Sequence, residues 1–394
     1  MQTKKDSIKT SILQYLKQSI FKNSGVFSAD FIPPILKFRD RYINILLDKL
    51  AKEIFHQTNF NIFGITGSGK TLSIKYCFKK IEEIWKELEG EGNLIGARTL
   101  YISCSDYDNT SKILSYIINK LGGNVPMRGW DRGTYLEELK KMLESFNHVI
   151  ICFDESDILM KKGLQQLILS LSDIQKISFI FISNIPNWNK DIDPRIRSRL
   201  QLEDLEFIAY STNEIRGILL QRITLGLKEN IFTPKILDLI IQKAYYNRGD
   251  LRDVIKLFNI IIEDIQYNKI VELTDTIINQ CYYKLLEREI IRIVDCLSPP
   301  LRLMLLIIIN IKKRGKQQLT TTNINFEWNE TVKKSKIYEP IKARQILNHL
   351  HSLELYNLIS IEKKSLGRGK GVINIIEPEF NINLVYNYLY NNKK

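Results

Sequence analysis

Eight residues constrain this chain more than any other feature. Gly64, Ile65, Thr66, Gly67, Ser68, Gly69, Lys70 and Thr71 read G-x-x-x-x-G-K-[ST] without a departure. The pattern has a physical meaning. Glycines let backbone N–H groups turn inward as a nest for phosphate oxygens, and a helix that follows adds the positive end of its dipole. Lys70 is spaced to reach the terminal phosphates of a nucleoside triphosphate, and the Thr71 hydroxyl to ligate Mg²⁺. Such a loop needs a strand before it and a helix after it. Residues 59–63 supply the first, with aromatic and β-branched side chains, and the helix-period stretch 72–88 supplies the second.

Three further strand-like runs follow at 98–104, 148–153 and 177–183, with a short fifth expected at 205–208. Charged, helix-period segments such as 134–144 separate them, and this alternation predicts an α/β fold with a parallel sheet wrapped by helices. The run at 148–153 ends in Asp154 and Glu155. A buried strand delivers Asp154 to the edge of the sheet beside the phosphate loop, where it holds Mg²⁺ through a coordinated water. Glu155 is then placed to polarise an attacking water. The next run ends in Asn184, an amide able to orient that water.

From Thr212 to Leu285 strand signals stop, and helices are expected at 213–225, 234–247 and 251–267. Ser298, Pro299 and Pro300 then break the chain before a new unit with helices at 301–312 and 338–355. The expected division is a basic N-terminal arm at 1–24, a nucleotide-binding base at 25–211, a helical lid at 212–285 and a final module at 286–394. In that last stretch 18 Lys and Arg face 10 Asp and Glu, an excess of eight out of the chain's net +13. Basic charge gathered at one end implies a polyanionic partner there.

The final module has the pattern of a winged helix. Lys342, Arg344, Gln345 and Asn348 share one helix face, while Ile341, Ile346, Leu347, Leu350 and Leu353 supply the other. Such a helix buries its apolar side and lays polar side chains in a major groove. Two Ile-rich runs follow, joined by a basic tip carrying Gly367, Arg368 and Lys370, suited to phosphate or minor-groove contact.

Composition narrows the alternatives. Hydrophobic residues at 44% and charged residues at 26% suit a globular chain. The longest apolar candidate, 301–311, is interrupted by Arg302 and Asn310 and is read as a buried helix, so no membrane partner is expected. The lysine-rich first 22 residues have no continuous apolar core of a secretory signal. Five cysteines without a C-x-x-C pair read as reduced residues in a cytoplasmic protein. His349 and His351, two apart on a helix, do not form a metal pair.

Taken together, Asp154, Glu155 and Asp157, strand-end Asn184, and the Gly249-Asp250-Leu251-Arg252 turn resemble the AAA+ replication initiators, more narrowly the archaeal origin-recognition proteins of the Orc/Cdc type. The resemblance covers nearly the whole length. It implies an AAA+ core with helical lid and winged helix, and ATP or ADP with Mg²⁺ as cofactors. It also implies that the segment 31–40, with Arg39, lies against adenine. Asn184 corresponds to sensor one and Arg252 to sensor two, while Arg199 matches an arginine finger that serves a neighbouring subunit, with Arg195 as second candidate. The long stretch 105–147 matches an insertion whose added helix reaches DNA, and its basic residues are Lys112, Arg128 and Arg132. The function implied is a slow, regulatory ATPase associated with the nucleoid. It would bind double-stranded DNA at an origin and help load a replicative helicase beside other initiator subunits. Two rival readings are a promoter-binding transcription regulator of the same architecture, and a signalling NTPase whose winged helix binds protein.

Overall fold

The computed structural model describes residues 19–391, except 29, 53–57, 93–95, 161–162, 173, 175, 187, 246–248, 269–271, 316–317, 336–337 and 366–371. Most of the basic N-terminal arm, residues 1–18, lies outside that range, as does the end of the expected helix at 234–247. The chain divides into two compact units, Met1–Asp275 and Thr276–Lys394.

The first unit is built on five strands: β1 (Phe60–Gly64), β2 (Ala97–Ser103), β3 (His148–Asp154), β4 (Ile177–Ser183) and β5 (Glu203–Phe207). They lie in the order β2-β3-β4-β1-β5, and every pairing is parallel. β3 and β4 are buried along their whole length, which explains their near-continuous apolar sequence. Their side chains alternate between two cores. Val149, Ile151, Phe153, Phe179 and Phe181 face one layer of helices, α3 (Thr110–Lys120), α4 (Arg132–Glu144) and α6 (Leu164–Ser172). Ile150, Cys152, Ile180 and Ile182 face the other, α1 (Asp40–Lys52) and α2 (Lys70–Gly90). Burial on both faces fixes register, since a one-residue slip would exchange the two cores. Short α5 (Ser156–Met160) follows β3, and α7 (Pro194–Leu200) precedes β5.

Three helices complete this unit: α8 (Thr212–Gly226), α9 (Pro234–Tyr245) and α10 (Leu251–Asn268). A capping box starts α8, where Ser211 Oγ accepts from the Glu214 N–H and the Glu214 carboxylate from the Ser211 N–H, worth about 1 kcal/mol. The segment before α1 is strapped along these helices. The Phe21 backbone bridges to Leu227, Arg222 Nη1 donates to Val26 O at 2.5 Å and Ser28 O at 2.8 Å, and Asn259 Nδ2 donates to Phe27 O.

The second unit holds α11 (Asp275–Cys296), α12 (Pro299–Lys313), α13 (Thr321–Ser335), α14 (Ala343–Leu355), the antiparallel pair β6 (Ile359–Ser365) and β7 (Val372–Pro378), and α15 (Ile382–Asn391). α11 begins at the division between the units, so the boundary expected at 285/286 falls inside one continuous helix. The helix expected at 338–355 begins only at Ala343, because Pro340 lacks a donor and biases Glu339 toward extended backbone. Met304, Ile308, Trp328, Ile346, Leu350 and Ile376 share its core.

Candidate nucleotide site and nucleic-acid interface

β1 ends at Gly64 and α2 begins at Lys70, so the loop between them closes around the start of a 21-residue helix. Gly67 and Gly69 take left-handed φ of 74° and 85°, and a Cβ at Gly67 would run into the Asp250 carboxylate. Lys70 is buried, and its ammonium donates to Gly64 O at 2.8 Å, Ile65 O at 2.8 Å and Asn184 Oδ1 at 2.9 Å. Burial pulls its pKa down to about 8, opposed by the charge of Asp154 and assisted by that of Arg252. β4 lies between β3 and β1, which brings Asn184 to the loop.

At the end of β3, Asp154 Oδ2 accepts from Thr71 Oγ1 at 2.6 Å and from Tyr101 Oη at 2.7 Å. Two oxygen donors thus converge beside the loop. That set fits Mg²⁺, which is held through few protein oxygens plus substrate phosphates. Glu155 sits at φ 55°, a left-handed conformation costly for a residue with a side chain. The turn is held in place because Ser156 Oγ donates to Ile182 O at 3.1 Å and Ser183 Oγ to Asp157 Oδ1 at 2.8 Å. Asp157 therefore serves the turn by accepting from Ser183.

A cleft of about 380 Å³ opens over the loop. Thr66, Gly67, Gly69, Lys70, Thr71, Asp154, Glu155, Asn184 and Arg252 line its polar end. Phe31, Pro33, Leu36, Ile218, Leu225 and Ile255 line an apolar end, which suits a base. Arg252 Nη2 donates to Asp250 Oδ2 at 2.8 Å, and this hydrogen bond raises its pKa. Gly64 and Ser68 are part of the loop without lining the cleft. Arg39 departs from its expected place against adenine. It is buried beneath the loop, off the cleft lining, and donates to Ser68 O and Ile208 O. Arg199 is exposed on the last turn of α7, and exposed Arg195 pairs with its own Asp193 at 2.9 Å.

The insertion between β2 and β3 forms α3 and α4. Of its three basic residues, Lys112 pairs with Asp108 at 2.6 Å, and Arg132 turns onto α6, donating to Gln166 O and to Ser170 Oγ. Arg128 is exposed in the loop between the helices. On α14, Ile346, Leu350 and Leu353 are buried, while Lys342, Arg344, Gln345 and Asn348 are exposed. Gln345 Oε1 accepts from the Lys342 N–H at 3.2 Å, so its acceptor already caps the helix. His349 stacks on Trp328, with ring centroids 5.9 Å apart. β6 carries exposed Lys363 and Lys364 toward the tip, but Gly367, Arg368 and Lys370 lie outside the described residues.

Residues 52–185 match the AAA domain family, and residues 293–387 match the CDC6 C-terminal winged helix domain. The ORC1-type DNA replication protein 1 of Methanothermobacter thermautotrophicus is 26% identical over 384 residues, covering 95% of this chain and 97% of that protein. Over nearly its whole length the chain is thus similar to ORC1-type DNA replication proteins, with an AAA domain followed by a CDC6-type winged helix domain. Its fold is that of the Aeropyrum pernix ORC1 protein solved in complex with DNA, with a TM-score of 0.82 at 22% identity over 95% of this chain and 97% of that one. The A. pernix ORC2 protein, solved as ADPNP-ADP complexes, gives a TM-score of 0.56 at 19% identity, covering 94% and 98%. Beyond the family motifs, the sequence reading missed Tyr101 against Asp154, and Gln221 and Arg222 in the cleft wall. No short spacing marks these side chains, which arrive through sheet order and lid packing. Among the described residues, no helix is long and apolar enough to cross a membrane.

Proposed function

We propose that this chain is an ATP-dependent, double-stranded-DNA-binding initiator that recognises an origin and helps load the replicative helicase, with other initiator subunits as partners. One combination carries the reading: a phosphate loop organised around Lys70, Asp154 and Asn184, in a chain whose basic end presents Lys342, Arg344 and Asn348 on an exposed helix face. Support comes from relatives, one solved with DNA and one as ADPNP-ADP complexes. In the cleft, Lys70 and the loop N–H groups bind the phosphates, and the Phe31–Leu36 side takes adenine. Thr71 and Asp154 would hold Mg²⁺, which would neutralise phosphate charge when bound. Glu155 polarises water, Asn184 orients it, and Arg252 reports the terminal phosphate to the lid. Arg199 acts toward a neighbouring subunit. The strained, preformed site sets conformation more than it drives rapid turnover. Mapping bound sites across the genome, with ATP and with Lys70→Ala, tests the proposal. Occupancy concentrated at an origin and lost in the variant supports it. Occupancy spread over promoters would favour the transcription regulator, and no duplex binding would favour a signalling NTPase.

A further inference from the structure

Beneath the phosphate loop lies a cation that the nucleotide chemistry leaves without a task. Arg39 is 2% exposed. Its donors go to main-chain carbonyls: Nε and Nη2 to Ser68 O at 3.0 and 2.9 Å, Nη2 also to Ile208 O at 2.9 Å, and Nη1 to Phe38 O at 2.9 Å. The guanidinium also lies over the Tyr210 ring, 3.4 Å from its centroid. Tyr210 in turn sits against Gly69, where an added Cβ would come within 2.6 Å of Tyr210 Oη. Burying a guanidinium is costly unless its donors are used, so this arrangement is a built one.

We propose that Arg39 is a positioning residue that sets the Ser68–Gly69 peptide, through the Ser68 carbonyl and the Tyr210 ring, so that the Gly69 N–H faces the phosphates. The proposal rests on the nucleotide reading above. A trans peptide is planar, and its C=O and N–H point in opposite directions. Two N–H donors draw the Ser68 carbonyl down into the protein. The Gly69 N–H of the same peptide therefore points up toward the cleft, which Gly69 lines and Ser68 does not. Left to itself, a glycine at φ 85° has wide freedom to turn that peptide over. The clamp removes this freedom before any ligand arrives. The same guanidinium holds Ile208 and Tyr210, the residues leading into α8, and the Tyr210 carbonyl accepts from Tyr245 Oη on α9 at 2.6 Å. Loop geometry and lid attachment thus share one side chain.

Binding of adenosine, ADP and ATP to the full chain tests this, comparing wild type with Arg39→Lys and Tyr210→Leu. Lysine keeps the charge but has no planar fork to grip Ser68 O and Ile208 O together. Arg39→Lys is expected to weaken ADP and ATP by about tenfold, the loss of an oriented charge-assisted hydrogen bond, and to leave adenosine within about twofold. Tyr210→Leu, which removes the stack, is expected to weaken ADP and ATP by about threefold with the same sparing of adenosine. If Arg39→Lys proves unstable on melting, the Tyr210→Leu arm decides on the same criterion. Equal weakening of all three ligands, or none, would overturn the proposal. A wild-type chain that binds none of the three would overturn the nucleotide reading and this inference with it.

Discussion

In and beneath the nucleotide cleft the cations around the phosphate loop are already engaged by the protein, whereas on the exposed face of α14 polar side chains stand in solvent. Lys70 is held by two carbonyls and Asn184, Arg252 by Asp250, and Arg39 by Ser68 O. Arg344 and Asn348 make no side-chain hydrogen bond among the described residues. The two regions therefore meet their ligands in different ways. A preorganised cleft gives up little side-chain entropy on binding, so one substitution there loses both a ligand contact and the arrangement around it. An open helix face orders its side chains only on contact, and its residues act more independently.

The largest expected effect lies in the cleft. Lys70→Ala should weaken ATP binding by about 100-fold or more, because a buried cation and its charge-assisted bonds to phosphate are lost together. Equilibrium titration checks this, and a loss below about threefold would show that the loop binds without its lysine. Glu155→Gln should keep ATP affinity while hydrolysis falls by about 100-fold or more. Hydrolysis at the wild-type rate would remove the general-base assignment.

Next comes the helix face. Arg344→Ala should narrow the preference for cognate over scrambled duplex by about 1–3 kcal/mol, the worth of one paired base contact. Lys364→Ala, on the exposed edge of β6, should weaken both duplexes alike and reduce the salt slope by about one unit. Competition binding separates the two. Equal losses on both duplexes for Arg344→Ala would show that α14 does not read sequence.

The insertion holds both kinds of cation side by side, which sharpens the contrast. Arg132 grips α6, so Arg132→Ala should lower the stability of the first unit by about 1–2 kcal/mol in a denaturant titration. Arg128 is exposed, so Arg128→Ala should leave stability unchanged and weaken duplex binding by only a few-fold, about one phosphate contact's worth. The reverse pattern would mean that Arg132 is the DNA contact.

The smallest effect concerns pH. Burial against Trp328 lowers the His349 pKa from its usual 6.5. The folded state thus resists protonation more than the unfolded one. Stability should fall as pH drops below about 6.5, down through the lowered folded value. His349→Gln should blunt that acid-side loss of melting temperature, and an unchanged profile would show that the ring titrates freely.

How far the sequence foretold these differences follows from the range of the forces involved. The phosphate loop, β3 with Asp154 and β4 with Asn184 were legible because each is a local pattern of apolar strand and terminal polar residue. The apolar stripe at Ile346, Leu350 and Leu353 was legible for the same reason. Helix α13 was not, since its Thr- and Asn-rich start reads as loop until Ile324 and Trp328 find the core. Arg39 read as a ligand contact because an arginine near a phosphate loop invites that role. Its true partners, Ser68 O and Ile208 O, lie 29 and 169 residues away, and only tertiary structure brings them together.

On the proposed function, a single chain carries both a nucleotide cleft and a basic face that binds duplex. Duplex affinity of the full chain, measured at several salt concentrations, tests it most directly. A steep linear fall of log K with log salt is expected, about −0.9 per phosphate neutralised, with a shallower slope in Lys364→Ala. A flat response in the wild-type chain would contradict it.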